Sequence, residues 1–124
     1  MYKNKADLQF AIMQAGDNAA AQVHRTMERH LKCADELWRL ADAAIAAGLG
    51  VRLPAMRWVN SPSLHLLADS DEAEIVAQRI IEEWAKSEGA RVDACLRDGT
   101  EVLIAVAFEQ KVGISAFINR EEWQ

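Results

Sequence analysis

The sequence predicts a single α+β domain over residues 1–124, with a helical N-terminal half and a mainly antiparallel sheet in the C-terminal half. Three observations predict it. Apolar residues recur in steps of three and four as far as Ala47, the spacing of one helix face. Over Arg91–Arg97 they alternate by two, the spacing of a strand. Between that run and a second strand-like one stands Asp98-Gly99, a dipeptide suited to a tight hairpin turn. A length of 124 residues fits one domain and can bury a core without staples.

Residues 6–15 read as a short helix, with Leu8, Ile12 and Ala15 on one face and Phe10 and Met13 beside it. Gly16-Asp17-Asn18 reads as a stop followed by a new start. A long second helix is expected from Ala19 to Ala47. Its stripe is Ala20, Val23, Met27, Leu31, Ala34, Trp38, Ala41 and Ile45, widened by Leu37, Leu40 and Ala44. Glu28 precedes Lys32 and Asp35 precedes Arg39 by one turn, the favourable order for ion pairs on a helix. Gly48-Leu49-Gly50 ends it. Such a helix would be about 44 Å long, against a radius of gyration near ~14 Å for a domain of this size. It must therefore bend or overhang, and an overhanging alanine-rich stripe suggests a homodimer.

Residues 51–62 are expected to be irregular, because Pro54 and Pro62 forbid a central strand. Residues 63–67 alternate and form a first strand. Ser70 is placed to cap a third helix, and Asp71 and Glu72 suit its positive end. Ala73, Val76, Ala77, Ile80, Ile81 and Trp84 make the apolar face of that helix, and Gly89 stops it. Three strands follow. Arg91–Arg97 carries Val92, Ala94 and Leu96 on one face. Val102–Phe108 is apolar on both faces, so it is expected to be the central strand, with the third helix packed across it. Val112–Ile118 closes the meander after a turn at Gln110-Lys111, and Asn119–Gln124 is a polar tail. After the two N-terminal helices the order is thus β-α-β-β-β.

Composition narrows the function. With 51% hydrophobic and 27% charged residues the chain is globular in kind. No apolar run approaches the ~20 residues that span a bilayer, and Met1–Asp7 does not open a secretory signal, so a cytoplasmic protein without membrane partners is expected. In that compartment Cys33 and Cys95 are reduced thiols. The net charge of −5 conceals a division: residues 1–62 carry +2 and residues 63–124 carry −7. An acidic chain is a poor general binder of nucleic acid, whose phosphates supply most non-specific affinity.

Candidate chemistry is sparse. His24 and His30 sit about 120° apart on a helix and cannot share a ligand face. His30 and Cys33 are one turn apart, but two ligands do not make a metal site, and no further ligand stands at a recognisable spacing. His65 near Asp69 and Asp71 is a possible general base, with Ser63 or Ser70 nearby, yet no nucleophile elbow accompanies it. Gly48-x-Gly50 follows a helix and is too short for a dinucleotide fingerprint. No cofactor, metal or catalytic residue is assigned.

Two binding signals remain. Arg52, Arg57 and Trp58 occupy the irregular segment, and Arg and Trp are the residue types that anchor interfaces or stack on bases. Asp71, Glu72, Glu82 and Glu83, with Asp69, Glu74 and Glu88, make the third helix acidic. The expectation is a small non-enzymatic protein-binding module, a regulator or inhibitor that occludes a partner which is itself basic or nucleic-acid-binding. Accessory proteins of phages and other mobile elements, including inhibitors of host defence complexes, are of this kind, an analogy that no motif carries. The alternatives are nucleic-acid binding through Arg52, Arg57 and Trp58, and a small enzyme built around His65.

Overall fold

The computed structural model describes the backbone of residues 1–17, 21–111 and 113–120, and the side chains of all of these except 16, 17, 21, 22 and 57. Helix α1 (Lys5–Asp17) starts at a reciprocal cap. The Asp7 amide donates to Asn4 Oδ1 at 2.9 Å, and the Lys3 amide donates to Asp7 Oδ2 at 2.9 Å. Leu8 and Ile12 are fully buried, as their spacing predicted. The helix runs through Gly16, and Asn18 of the expected break lies outside the described residues.

The long second helix is two helices, α2 (Ala21–Lys32) and α3 (Ala34–Ala46). Cys33 stands between them at φ −108°, ψ 17°, and its amide donates to His30 O at 3.1 Å in a tighter turn. No glycine or proline marks the break. Its cause is tertiary: α2 docks on residues 56–58, whereas α3 docks on α4 and the first two strands, and one straight rod cannot reach both. Val23, Leu37, Leu40, Ala41 and Ala44 of the stripe are buried in the chain's own core. The overhanging length that suggested a homodimer is therefore not present. Gly48, at φ 85°, closes α3: its amide donates to Ile45 O at 3.0 Å and that of Leu49 to Ala44 O at 3.0 Å.

Five strands form one mixed, mostly antiparallel sheet: β1 (Gly50–Arg52), β2 (Ser63–Leu67), β3 (Ala90–Asp98), β4 (Glu101–Phe108) and β5 (Ile114–Asn119). Their spatial order is β1-β2-β5-β4-β3, and β2 and β5 run parallel. The expected central strand is thus corrected: β5 is central, and β4 stands one place from the edge. After β2 the chain crosses through α4 (Asp71–Ser87) and the β3–β4 hairpin. Only then does β5 return between β4 and β2. Apolarity on both faces of β4 reported neither its place nor full burial, since Leu103, Ala105 and Ala107 are only half-buried. A second correction concerns β3. A bulge between Val92 and Ala94 puts Val92 opposite Val106, while Ala94 and Leu96 oppose Ala105 and Leu103, so the three do not share a face.

The helices stack on the face carrying Val51, Leu64, Leu66, Val102, Ile104, Val106, Ile114, Ala116 and Ile118, all buried. Helix α4 packs on β3 and β5, and Trp84 meets Phe108 of β4 edge-on at 5.9 Å. Ser70 caps α4, accepting from the Ala73 amide at 3.1 Å. Replacing Ser70 by alanine should lower stability by about 1 kcal/mol, read as a lower urea midpoint at unchanged slope. The polar tail expected after Asn119 falls, beyond Arg120, outside the described residues, and Asn119 itself is buried in β5. Among the described residues no helix is long and apolar enough to cross a membrane.

Candidate functional site

The sheet's other face carries only half-buried side chains over much of its area: His65 on β2, Phe117 and Ser115 on β5, and Leu103, Ala105 and Ala107 on β4. Leu96, on the edge strand β3, is 62% exposed there. One margin of this face is the segment that leaves β1. Its prolines keep it out of the sheet, and it turns once as a 3-10 helix, Met56–Trp58. Met56 is buried and pins that turn, whereas Trp58 stands 78% exposed beside it.

Helix α2 fastens the segment by three side chains. Thr26 Oγ1 donates to Val59 O at 3.3 Å, and Arg29 Nη1 donates to Asn60 O at 2.7 Å. The Ser63 amide donates to His30 Nε2 at 2.9 Å, so Nδ1 carries the ring proton and donates to Thr26 O at 2.7 Å. Burial lowers the His30 pKa from its usual 6.5 and keeps the ring neutral. With both nitrogens committed, His30 offers no lone pair to a metal. Cys33 is also buried, and its thiol is pushed up first by burial and then by nearby Glu36. Among the described residues no three His, Cys, Asp or Glu side chains group as metal ligands.

Between the segment and the sheet lies a cleft of about 400 Å³. Leu53, Pro54, Trp58 and Val59 line one side, with Arg52 and Glu101 among the polar groups around it. His65 and Phe117 also line it, as a stacked pair with centroids 4.6 Å apart and planes at 16°. Asn119 Nδ2 donates to His65 Nδ1 at 3.2 Å and to Glu101 Oε2 at 3.3 Å. An amide nitrogen only donates, so the neutral His65 ring carries its proton on Nε2. Next to the cleft on the same face is a shallower hollow of about 330 Å³ lined by Ser61, Asp93, Ala105, Ala107, Lys111 and Ser115. The arrangement supplies an apolar, aromatic bed with a few polar groups around it, which is the make-up of a binding surface.

The predicted site residues divide between the two faces of the molecule. Arg52 and Trp58 come together, and His65, singled out for a different reason, joins them in the cleft. The Arg57 side chain lies outside the described residues. Asp71, Glu72, Glu82 and Glu83 are exposed on α4, on the opposite side of the sheet. The acidic set around α4 is partly neutralised from within. Asp71 pairs with Arg120 at 2.7 Å, buried Glu74 pairs with both Arg97 and Arg120, and Glu88 takes both arms of Arg39. The acid linked to His65 through Asn119 is Glu101 of β4, not an acid from the start of α4. Glu101, Phe117 and Asn119 were not foreseen, because they become neighbours of His65 only through the pairing of β5 with β2 and with β4; His65 and Asn119 are 54 residues apart in sequence. No family model, curated protein or solved structure matches the chain.

Proposed function

We propose that the chain is a non-enzymatic binding module that docks a protein partner on the open face of its sheet, centred on the Trp58 cleft, and regulates or inhibits that partner by occlusion. The observation that carries this reading is Trp58 itself, a large aromatic ring 78% exposed on a turn anchored by buried Met56. Trp beside a preformed apolar cleft is the typical anchor of a protein interface, since it removes much area from water and loses little rotamer freedom. Leu96, Leu103 and Phe117 extend the apolar area toward β3. Glu72, Glu82 and Glu83, on the far side, steer approach to a basic partner rather than form the contact.

The test is made on a partner captured from source-cell lysate. Trp58→Ala should weaken binding by about 2 kcal/mol or more, chiefly through faster dissociation. Reversing Glu72, Glu82 and Glu83 together to Lys should slow association and change its salt dependence while leaving dissociation alone. Unchanged affinity for Trp58→Ala removes the cleft from the interface. One observation favours a second reading: the stacked His65–Phe117 pair, exposed Trp58 and Arg52 lie together on a sheet face, as in single-strand nucleic-acid platforms. Oligonucleotide binding whose affinity falls steeply with salt, and falls again in Trp58→Ala, would favour it over a protein partner.

A further inference from the structure

We propose that His30 is a pH-sensitive latch, whose protonation releases residues 59–63, and with them the Trp58 side of the cleft, from α2. The latch is a property of this joint and does not depend on what docks in the cleft.

The Ser63 amide is a donor and has no second role open to it; it can be accepted only by an unprotonated Nε2. The other nitrogen donates to Thr26 O. An imidazolium has two N–H groups, so on protonation the Thr26 bond survives and the Ser63 bond becomes donor against donor. His30 is 0% exposed, so water cannot intervene without separation of α2 from the start of β2. The two remaining ties are weaker. The Thr26–Val59 bond is long at 3.3 Å, and the Arg29 side chain that reaches Asn60 is exposed. Of the three, His30–Ser63 is the buried one.

The charges around the joint leave the ring as its own sensor. On its own helix the nearby titratable groups are Arg29, turned to Asn60 O, and Cys33 just beyond the helix end. Of the helices packed against α2, α3 carries Glu36, held by Lys111 at 2.9 Å, and α1 carries Lys5, held by Asp35 at 2.6 Å. The shift of His30 arises from burial, which outweighs the opposing effect of the ring's backbone bond to Thr26, and no charged side chain is among its causes. Burial pushes the Glu36 carboxyl up, but its hydrogen bonds and the charges of Lys111 and Arg39 together outweigh this and leave it below its usual 4.5, outside the window that concerns His30.

The sign follows. With the joint open, His30 binds its proton near the usual 6.5; with the joint closed, it resists to lower pH. Closure is therefore fully favoured above that pH and is lost as pH falls. Between the open and closed pKa values the opening constant should rise about tenfold per pH unit, the slope of a single proton.

The experiment follows amide exchange of residues 59–63 from pH 7.5 to 5, expressed as protection factors so that the intrinsic pH dependence cancels, alongside the titration of the His30 ring by NMR. In the wild-type chain protection of the Ser63 amide should fall about tenfold per pH unit below pH 6.5 and level off where the ring itself titrates, while far-UV circular dichroism is unchanged. In His30→Gln, whose amide oxygen accepts but does not titrate, the slope should vanish. If that variant does not fold, a wild-type fall in Ser63 protection that begins near pH 6.5 and ends where the ring titrates still decides. A ring that titrates at or above 6.5, protection independent of pH, or an equal slope in His30→Gln overturns the latch.

Discussion

Trp84→Ala should lower the unfolding free energy by about 3–5 kcal/mol, the largest single loss expected in this chain. The indole sits on α4 at 4% exposure, edge-on to Phe108 below it, with Nε1 donating to the Glu36 carbonyl of α3 at 2.8 Å. One side chain thus joins α4 to α3 and to the sheet. Truncation opens a cavity where three elements meet, and the α3 carbonyl loses the donor that it accepts from outside its own helix. Trp84→Phe separates the two effects. It keeps most of the volume and should lose only about 0.5–1.5 kcal/mol, the net contribution of one hydrogen bond. Urea unfolding of both variants measures this. Equal losses for the two would show that the hydrogen bond, and not the packing, holds α4 in place.

Ile118→Ala should cost about 2–5 kcal/mol, toward the upper part of the range, and more than Ile104→Ala. Both residues face the helices. Ile118 is 0% exposed on the central strand, flanked by Leu66 and Val102 on neighbouring strands. Ile104, on β4, has Ala116 on one side and exposed Cys95 of the edge strand on the other. A cavity at Ile104 can therefore relax toward the open edge, and one at Ile118 cannot. A larger loss at Ile104, read from urea midpoints at constant slope, would argue that β4 is the better-buried strand after all.

The difference between those two isoleucines marks how far the sequence could be read. Local patterns were legible: the α1 face at Leu8 and Ile12, the Ser70 cap, the Gly89 stop and the Asp98-Gly99 hairpin all depend on a few neighbouring residues. What was not legible depends on distant partners. No local residue breaks the helix at Cys33; the docking of Thr26, Arg29 and His30 on residues 59–63 does. The hydrophobicity of β4 is much the same beside an edge strand as in the middle of a sheet, so the place of β5 could not be deduced from it. The site shows the same limit. Trp58 and Arg52 stood out by residue type, but Phe117, Asn119 and Glu101 become neighbours of His65 only when β5 enters the sheet.

That late entry shapes how the chain must be made. The strand that holds the two halves of the sheet together is the last of the five to leave the ribosome. Until it emerges, β1 and β2 form a two-stranded ribbon and β3 and β4 another, too small to be stable alone. Helices α1 to α3 can gather early, since their contacts are local, but the sheet that they cover is completed from the C-terminal side, across a long sequence separation. Nascent chains stalled before Ile114 should therefore remain open to protease at β2, and those released beyond Asn119 should close cooperatively. Genetic fusions that burden the C-terminal end will act on the middle of the sheet rather than on its margin.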